Sequence, residues 1–482
     1  MKKIVISKLF LYKHRFLIGY ILLGLAFILL LFSLPLFAQN NLSEAEMDSA
    51  ASSYALSIDA PMNGDLINLP YRMLQKISIV FFGLNTYAIK LPSIVVGLAL
   101  GLLLILLLNR WFKNNVSLLA SCLVILSTPF LFLAGSGTPL IMLVFWPTLL
   151  LWLGSKIQGE KKPKPVYTFV FAISLLASVF TPYMVYFAVF CVIFVILQPH
   201  LRFVLKSLPK IPLCFVLLII ITGIALLTLN IISHPKVITE LLLSADFRPE
   251  NFFNNIGTGL APVFSWKNTV PGVFLSPLMS LPTFALVLIG LFSTTKGFFA
   301  SRNSIATLLL IFTIIITGLN PNAVVFFILP FAILVAHGLK YLLEKWYGLF
   351  PENPYARVAA MIPLAILFGI ILIPSLFQYI YGYRYNPSIA NEFNYDLPII
   401  RKNLTNETLV VPKDYYDFYK ILENSTDVVV VDEIPTENYP TNLAVLENTI
   451  ANEKYHLERI ITSPMSDNSD IIYLYTYTEK GE

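Results

Sequence analysis

Charge is what this sequence has least of. Only 13% of its 482 residues are Asp, Glu, Lys or Arg, where a soluble globular domain carries roughly 25%. With 57% of residues hydrophobic and a mean hydropathy of +0.74, too few polar groups remain to cover a soluble fold of this length. A soluble domain, a coiled coil, a collagen and a disordered chain are excluded. Cysteine and histidine are scarce too, at three and five residues. Cys122, Cys191 and Cys214 lie in separate apolar runs with no CxxC spacing, which excludes a disulfide framework and a zinc ribbon. No nucleic-acid partner is expected.

What the chain does have is apolar runs of the length that crosses a bilayer, about 20 residues each. Spans are expected near 16–38, 86–108, 116–134, 139–155, 166–181, 182–199, 211–233, 276–294, 303–319, 321–343 and 358–377, about eleven in all. Thr181-Pro182 breaks the longest run into a bent or short pair. The expected fold class is an α-helical polytopic membrane protein with a small C-terminal α/β domain.

Orientation follows from where the few cations lie. A cytoplasmic amino terminus, carrying Lys2, Lys3, Lys8, Lys13 and Arg15, leaves about 19 lysines and arginines on the inside. About 6 then remain in the outside loops, the asymmetry that the positive-inside rule describes. The first apolar run is longer than a signal-peptide core, and Leu36-Phe37-Ala38 is a poor cleavage site, so an uncleaved helix is expected. The chain reads as a multi-pass protein of a cell membrane, and its Lys/Asn/Ile-rich usage without disulfides fits a bacterial one.

The membrane domain is expected over 1–377, with long outer loops at 39–85 and 234–276. Residues 378–482 are expected as a soluble outer domain. There, strands are expected at Thr408–Val411, Asp427–Asp432, Arg459–Thr462 and Ile471–Tyr477, with helices over Tyr415–Leu422 and Thr441–Tyr455. This alternation suggests a small α/β domain. It holds no glycine-rich phosphate loop, and the inside loops are too short to form a nucleotide pocket.

In the first outer loop, Ser43 and Glu46 have the S-x-x-E spacing of a capping box, which starts a helix running to about Ser57. Glu44 and Asp48, four apart, share one face of it. Two carboxylates above the membrane are suited to general-base work on an acceptor hydroxyl. The plainer reading is that acids favour helix N-termini and simply face water. A pair such as Glu44 and Asp48 is also able to hold one divalent cation, although two residues do not define a metal site.

Leu69–Lys76 leads into the apolar stretch Ile77–Leu84, too short to span and expected as a helix lying in the interface. Arg72 and Lys76 share its polar face, placed either to hold a lipid phosphate or to snorkel toward headgroups. Arg248 and Lys267 of the second long loop carry the same two readings. The aromatics there (Phe247, Phe252, Phe253, Phe264 and Trp266) read as an interfacial belt more readily than as a sugar platform. No Asp or Glu sits mid-span, and His337 lies near the inner end of its span. Ion-coupled transport is disfavoured on that ground.

Three phrases, in order, resemble a known family. FFGLNTYAIKLPSIVVG over 81–97, NRWFKNNVSLLASCLVILSTPFLFLAGSG over 109–137 and FFILPFAILVAHGL over 326–339 are similar to passages of the C-type membrane glycosyltransferases (GT-C). The likeness is to the protein mannosyltransferase and aminoarabinose transferase group. It covers roughly residues 10–200 and, more loosely, the chain to about 377. The chain departs from that family's pattern at several places. Ser43-Glu44 stands where the family has Asp-Glu, and Asn68-Leu69-Pro70 where it has a cation before a double proline. Lys90 replaces an arginine, and Gly135–Ile141 holds no counterpart of the acid that follows the third span.

The resemblance implies a membrane glycosyltransferase using a polyprenyl-phosphate-linked sugar at the outer face, the lipid tail lying between spans. It implies Glu44 as the carboxylate that deprotonates the acceptor, with Glu46 or Asp48 as alternatives. Arg72, Lys76 or Arg248 would stabilise the departing lipid phosphate. The acceptor is a glycan, lipid or protein that the sequence does not name. The alternatives are a non-catalytic relative that binds lipid-linked sugar or an envelope partner, and a transporter or flippase of a lipid-linked intermediate.

Overall fold

The computed structural model describes residues 13–37, 41–56, 66–159, 165–207, 210–243, 248–264, 278–297, 300–349, 361–385, 393–434, 440–446, 454–462 and 471–478. Lys2, Lys3, Lys8, Phe247, Trp266 and Lys267 lie outside these residues.

The chain opens with α1 (Arg15–Phe37), followed by β1 (Leu42–Ser43), α2 (Glu44–Tyr54) and α3 (Leu69–Phe82). Next come α4 (Thr86–Trp111), α5 (Asn114–Ile125), α6 (Thr128–Gly135) and α7 (Met142–Gly159). Then α8 (Pro165–Val179), α9 (Met184–Leu197) and a short amphipathic α10 (Pro199–Ser207) lead to α11 (Lys210–Ser233). Two helices, α12 (Lys236–Leu242) and α13 (Phe252–Phe264), precede α14 (Leu281–Thr295) and α15 (Ser301–Leu319). The last membrane helices are α16 (Ile328–Gly348) and α17 (Met361–Tyr385).

Among the described residues, seven helices are long and apolar enough to cross a membrane. There are eight if the bent pair α5–α6 is one span, and α8, α9 and α14 are shorter apolar helices. Together these occupy the eleven expected segments. The segment expected as one span over 116–134 is two helices bent by 61°. Pro129 sits in the first turn of α6, where its missing N–H is harmless at a new helix start but would break a continuing one. Thr128 is held across the break by hydrogen bonds with Ser375 of α17. The other break, at Thr181-Pro182, is stabilised by Trp146, whose Nε1–H donates to Thr181 Oγ1 at 3.0 Å.

Hydrogen bonds sort the connections into two ends of the bundle. At one end, Gly137 N–H donates to Glu46, Asn68 N–H to the Phe180 carbonyl, Asn320 to the Tyr183 hydroxyl and Arg401 to the Leu84 carbonyl. At the other, Arg302 donates to the Trp111 carbonyl, Gln198 to Ser304 and Arg110 to the Ser155 carbonyl. The first long loop and the C-terminal domain therefore share one end, and the short basic connections share the other.

The C-terminal unit contains β2 (Phe393–Asn394), α18 (Asp396–Asn403), β3 (Thr408–Val410) and α19 (Tyr416–Tyr419). It continues with β4 (Val429–Val431), β5 (Asn442–Val445), β6 (Tyr455–Ile461) and β7 (Ile472–Tyr477). The sheet runs β4-β3-β5-β7-β6, parallel from β4 to β5 and antiparallel beyond. The helix expected over Thr441–Tyr455 is corrected: Asn442–Val445 is a central strand. Leu443, Ala444 and Val445 are all buried, so the consecutive apolar run belongs to a strand covered on both faces rather than to one stripe of a helix.

This domain is not merely tethered. β1 pairs antiparallel with β2, and one apolar cluster joins Leu42, Met47 and Ala50 of the first loop to Leu397, Ile400, Phe418 and Leu422 of the C-terminal unit. Gly83 ends α3 at φ 71°, the left-handed region that favours glycine.

Within the bundle, α14 and α16 pack closely through Gly290 and Gly338, where an added Cβ would strike the Leu334 and Leu286 carbonyls. Small residues permit this backbone approach in a bilayer, where packing rather than hydrophobicity holds helices together. Gly290→Val should cost about 1–3 kcal/mol by overpacking and lower the unfolding temperature of the solubilised protein. Gly24→Val, placed in open space, should leave it nearly unchanged.

Candidate functional site

Helix α2 starts as its spacing requires. Ser43 is the N-cap, its hydroxyl accepts from Glu46 N–H, and Glu46 Oε2 accepts from Ser43 N–H at 3.0 Å, closing the capping box. The helix ends at Tyr54, with Ala55 as its C-cap. Glu46 does more than cap. It is 1% exposed, its Oε1 accepts from Gly137 N–H at 2.6 Å, and its Oε2 lies 3.6 Å from the ammonium of Lys90, also 1% exposed. Lys90 Nζ donates in turn to the Asn41 carbonyl at 2.8 Å. This carboxylate thus joins the first loop, the start of α4 and the turn after α6.

Gln75 completes the same support. Its Oε1 accepts from the Ser49 and Ser53 hydroxyls, and its Nε2 donates to the Ile89 and Gly137 carbonyls. Every position of this fully buried amide is used, as a buried polar group requires. Beside it, Tyr71 hydrogen-bonds Ser93 at 2.7 Å and Ser78 donates to the Ala88 carbonyl.

Arg72 and Lys76 are turned toward α2. Arg72 Nη2 donates to the Ser52 carbonyl at 2.9 Å, and Lys76 Nζ to the Tyr54 and Leu56 carbonyls. Two cations therefore meet the last carbonyls of a helix, where its dipole is negative. Asn68, at φ 54°, begins α3 in a left-handed conformation that asparagine tolerates. Polar side chains of α3 point into the protein, while Met73, Leu74, Ile77, Val80, Phe81 and Phe82 are exposed, Phe81 by 79%. Arg248 stands apart: it is exposed, before the turn Pro249–Asn251 that leads into α13, and α13 packs on α15.

Glu44 and Asp48 are both exposed on one face of α2. Asp48 lines a cavity of about 670 Å³ between α2 and the C-terminal domain, with Asp414, Tyr415, Asp417 and Lys420 on the far wall. Partial burial, reinforced by the charge of Glu44, raises the Asp48 pKa above its ordinary 3.8. Burial raises that of the Tyr415 hydroxyl, and Glu44, Asp414, Asp48 and Asp396 push it further. The structure thus separates the three acids: Glu46 is tied down, while Glu44 and Asp48 face solvent. Among the described residues no group of three or more His, Cys, Asp or Glu could hold a metal, so the donors for a divalent cation are not assembled.

Sequence reasoning did not assign Lys90, Gln75 or the cavity residues of the C-terminal domain. Lys90 carried a readable signal, since a charge just inside an apolar span needs a partner. Asp414, Tyr415 and Asp417 are brought to α2 only by long-range docking, which no local pattern encodes.

The bundle, the first-loop helices packed on it and the α/β unit docked at the same end make up a fold that solved structures share. Among solved structures, ArnT from Cupriavidus metallidurans bound to undecaprenyl phosphate superposes with a TM-score of 0.58 at 12% identity, covering 96% of this chain and 98% of that one. Its apo state gives 0.55 at 14% identity, over 95% and 98%. The oligosaccharyltransferase of Archaeoglobus fulgidus, tethered with an acceptor peptide containing the NVT sequon, gives 0.55 at 13% identity over 87% of this chain. The chain spans 64% of that protein's length. No family model matches the chain, and no curated protein sequence does.

Removing Lys90 alone should leave Glu46 buried without that cation. Lys90→Met is expected to cost about 3–5 kcal/mol, with part recovered in Glu46→Gln/Lys90→Met. A double-mutant cycle on thermal unfolding measures the coupling.

Proposed function

We propose that the chain is a membrane glycosyltransferase that moves a sugar from a polyprenyl-phosphate donor to an acceptor hydroxyl. The transfer takes place at the outer face of a bacterial cell membrane. The observation that carries this reading is the exposed pair Glu44 and Asp48 on one face of α2, of which Asp48 lines a cavity shared with the C-terminal domain. They sit in a fold that it shares with proteins solved with undecaprenyl phosphate and with dolichol-phosphate. The basic connections at the opposite end support an outer position for this face.

In the reaction, Glu44 or Asp48 takes the proton of the acceptor hydroxyl as its oxygen attacks the anomeric carbon. The bond from that carbon to the phosphate oxygen breaks, and the lipid phosphate leaves with the electron pair. A cation near that oxygen lowers the barrier by meeting charge as it develops. Of the three candidates, Arg72 and Lys76 already hold carbonyls of the first loop, so we assign the phosphate to Arg248. Glu46 positions α2 rather than acting as base. The acceptor, of glycan, lipid or protein class, enters between α2 and the C-terminal domain.

One observation favours a second reading, a non-catalytic relative that binds lipid-linked sugar. Ser43 and Glu46, beside Glu44, are spent on the capping box and the buried ion pair, which leaves the face only two acids.

Transfer from radiolabelled polyprenyl-phosphate sugars, with purified protein in nanodiscs, separates the two. Loss of the general base, by Glu44→Gln or Asp48→Asn, should lower transfer by roughly 10²–10⁴-fold while donor binding survives. Donor binding with no transfer to any acceptor, in wild type and variants alike, would favour the non-catalytic relative. Arg248→Gln should weaken donor capture while leaving the unfolding temperature in place.

The pH dependence identifies the base. A carboxylate base works ionised, so activity is lost as pH falls through its pKa. With Asp48 as base, the acid limb lies above the ordinary 3.8, because burial and Glu44 raise its pKa. Glu44→Gln then shifts the limb to lower pH while activity persists. If Glu44 is the base, the same substitution abolishes transfer across the range.

A further inference from the structure

A second cavity, with charged side chains set in a largely apolar wall, lies at the opposite end of the bundle, away from every residue of the proposed reaction. It holds about 340 Å³ and is lined by Trp111 and Phe112 at the end of α4, the first turn of α5, Arg302 of α15, and Lys340, Leu343 and Glu344 of α16. Lys113, Arg302 and Lys340 give it three cations against the single carboxylate of Glu344. Lys113 is the N-cap of α5 and supplies no side-chain cap, so Asn115 and Val116 present the start of a 12-residue helix to the cavity. The partial positive charge of that terminus adds to the field of the cations.

Arg302 is held ready for an anion. Its guanidinium lies 5.1 Å from the centre of the Phe112 ring, and one Nη donates to the Trp111 carbonyl. Its buried Nε makes no hydrogen bond with a described residue. A buried donor left unmade is costly, and the planar fork of arginine suits phosphate oxygens.

We propose that this cavity binds the phosphate of an anionic phospholipid in the leaflet opposite the C-terminal domain. The shared chemistry is phosphate recognition, and the lipid is favoured by the surroundings. Trp111 and Leu343 line the cavity, and the apolar flank of α4 below it, at Leu102 and Leu106, is exposed. A headgroup bound here leaves its acyl chains along that flank. Basic pockets between helices at a membrane surface hold lipid headgroups by this combination of charge and apolar wall.

The test is native mass spectrometry of the full-length protein released from nanodiscs containing phosphatidylglycerol or phosphatidylcholine, with and without inorganic phosphate. Wild type should retain phosphatidylglycerol selectively. Lys113→Gln/Lys340→Gln should weaken retention at least tenfold, and Glu344→Gln should strengthen it. The double variant removes charge from two side chains that make no ion pair among the described residues, and its unfolding temperature in phosphatidylcholine checks that it folds. Equal retention by wild type and the double variant would overturn the site. Displacement of the lipid by millimolar inorganic phosphate, with binding of phosphate alone, would overturn the lipid assignment in favour of a soluble anion.

Discussion

The exposed face of this protein depends on a carboxylate that never reaches solvent. Glu46 gathers Ser43 N–H, Gly137 N–H and the Lys90 ammonium, groups from three segments that would otherwise be separate loops at a membrane surface. Burying a charge is costly unless it is paired and hydrogen-bonded, and this one is both. Its geometry fixes the rotation of α2 about its own axis. That rotation decides which acids look outward: with Glu46 inward, Glu44 and Asp48 are on the far side.

A second layer keeps α2 from sliding along its axis. Arg72 and Lys76 grip its last carbonyls while Gln75 takes the hydroxyls of Ser49 and Ser53. The C-terminal domain then closes over the helix through one continuous apolar core and the β1–β2 pair. The polar contacts set orientation, and the apolar ones hold the assembly together. Neither alone would place Asp48 opposite Asp414 and Asp417 across a cavity.

Much of this is legible in the sequence. Bilayer-length apolar runs mark the membrane segments, and Ser43 and Glu46 mark the start of α2 by a rule that needs only four residues. Local rules end where the partner is distant. The capping spacing does not reveal that Glu46 is also the buried partner of Lys90, 44 positions on. An amphipathic stretch at Leu69–Phe82 announces a helix, but not that its cations would be used on protein carbonyls. The Leu443–Val445 run is ambiguous by sequence because three successive apolar residues fit a buried strand and a helix alike, and only pairing with β3 and β7 decides between them. The 61° bend before Pro129 had its signal in the proline, yet hydropathy averages over it.

The outward apolar face of α3 ties the carboxylates to the bilayer itself. Met73, Ile77, Val80 and Phe81 are exposed and form an apolar face suited to acyl chains, while the opposite side of the same helix grips α2. Whatever depth the lipid imposes on α3 is handed rigidly to Glu44 and Asp48. A helix lying in the interface in this way would act as a buoy with the carboxylates as its mast, their height above the headgroups set by the bilayer around it.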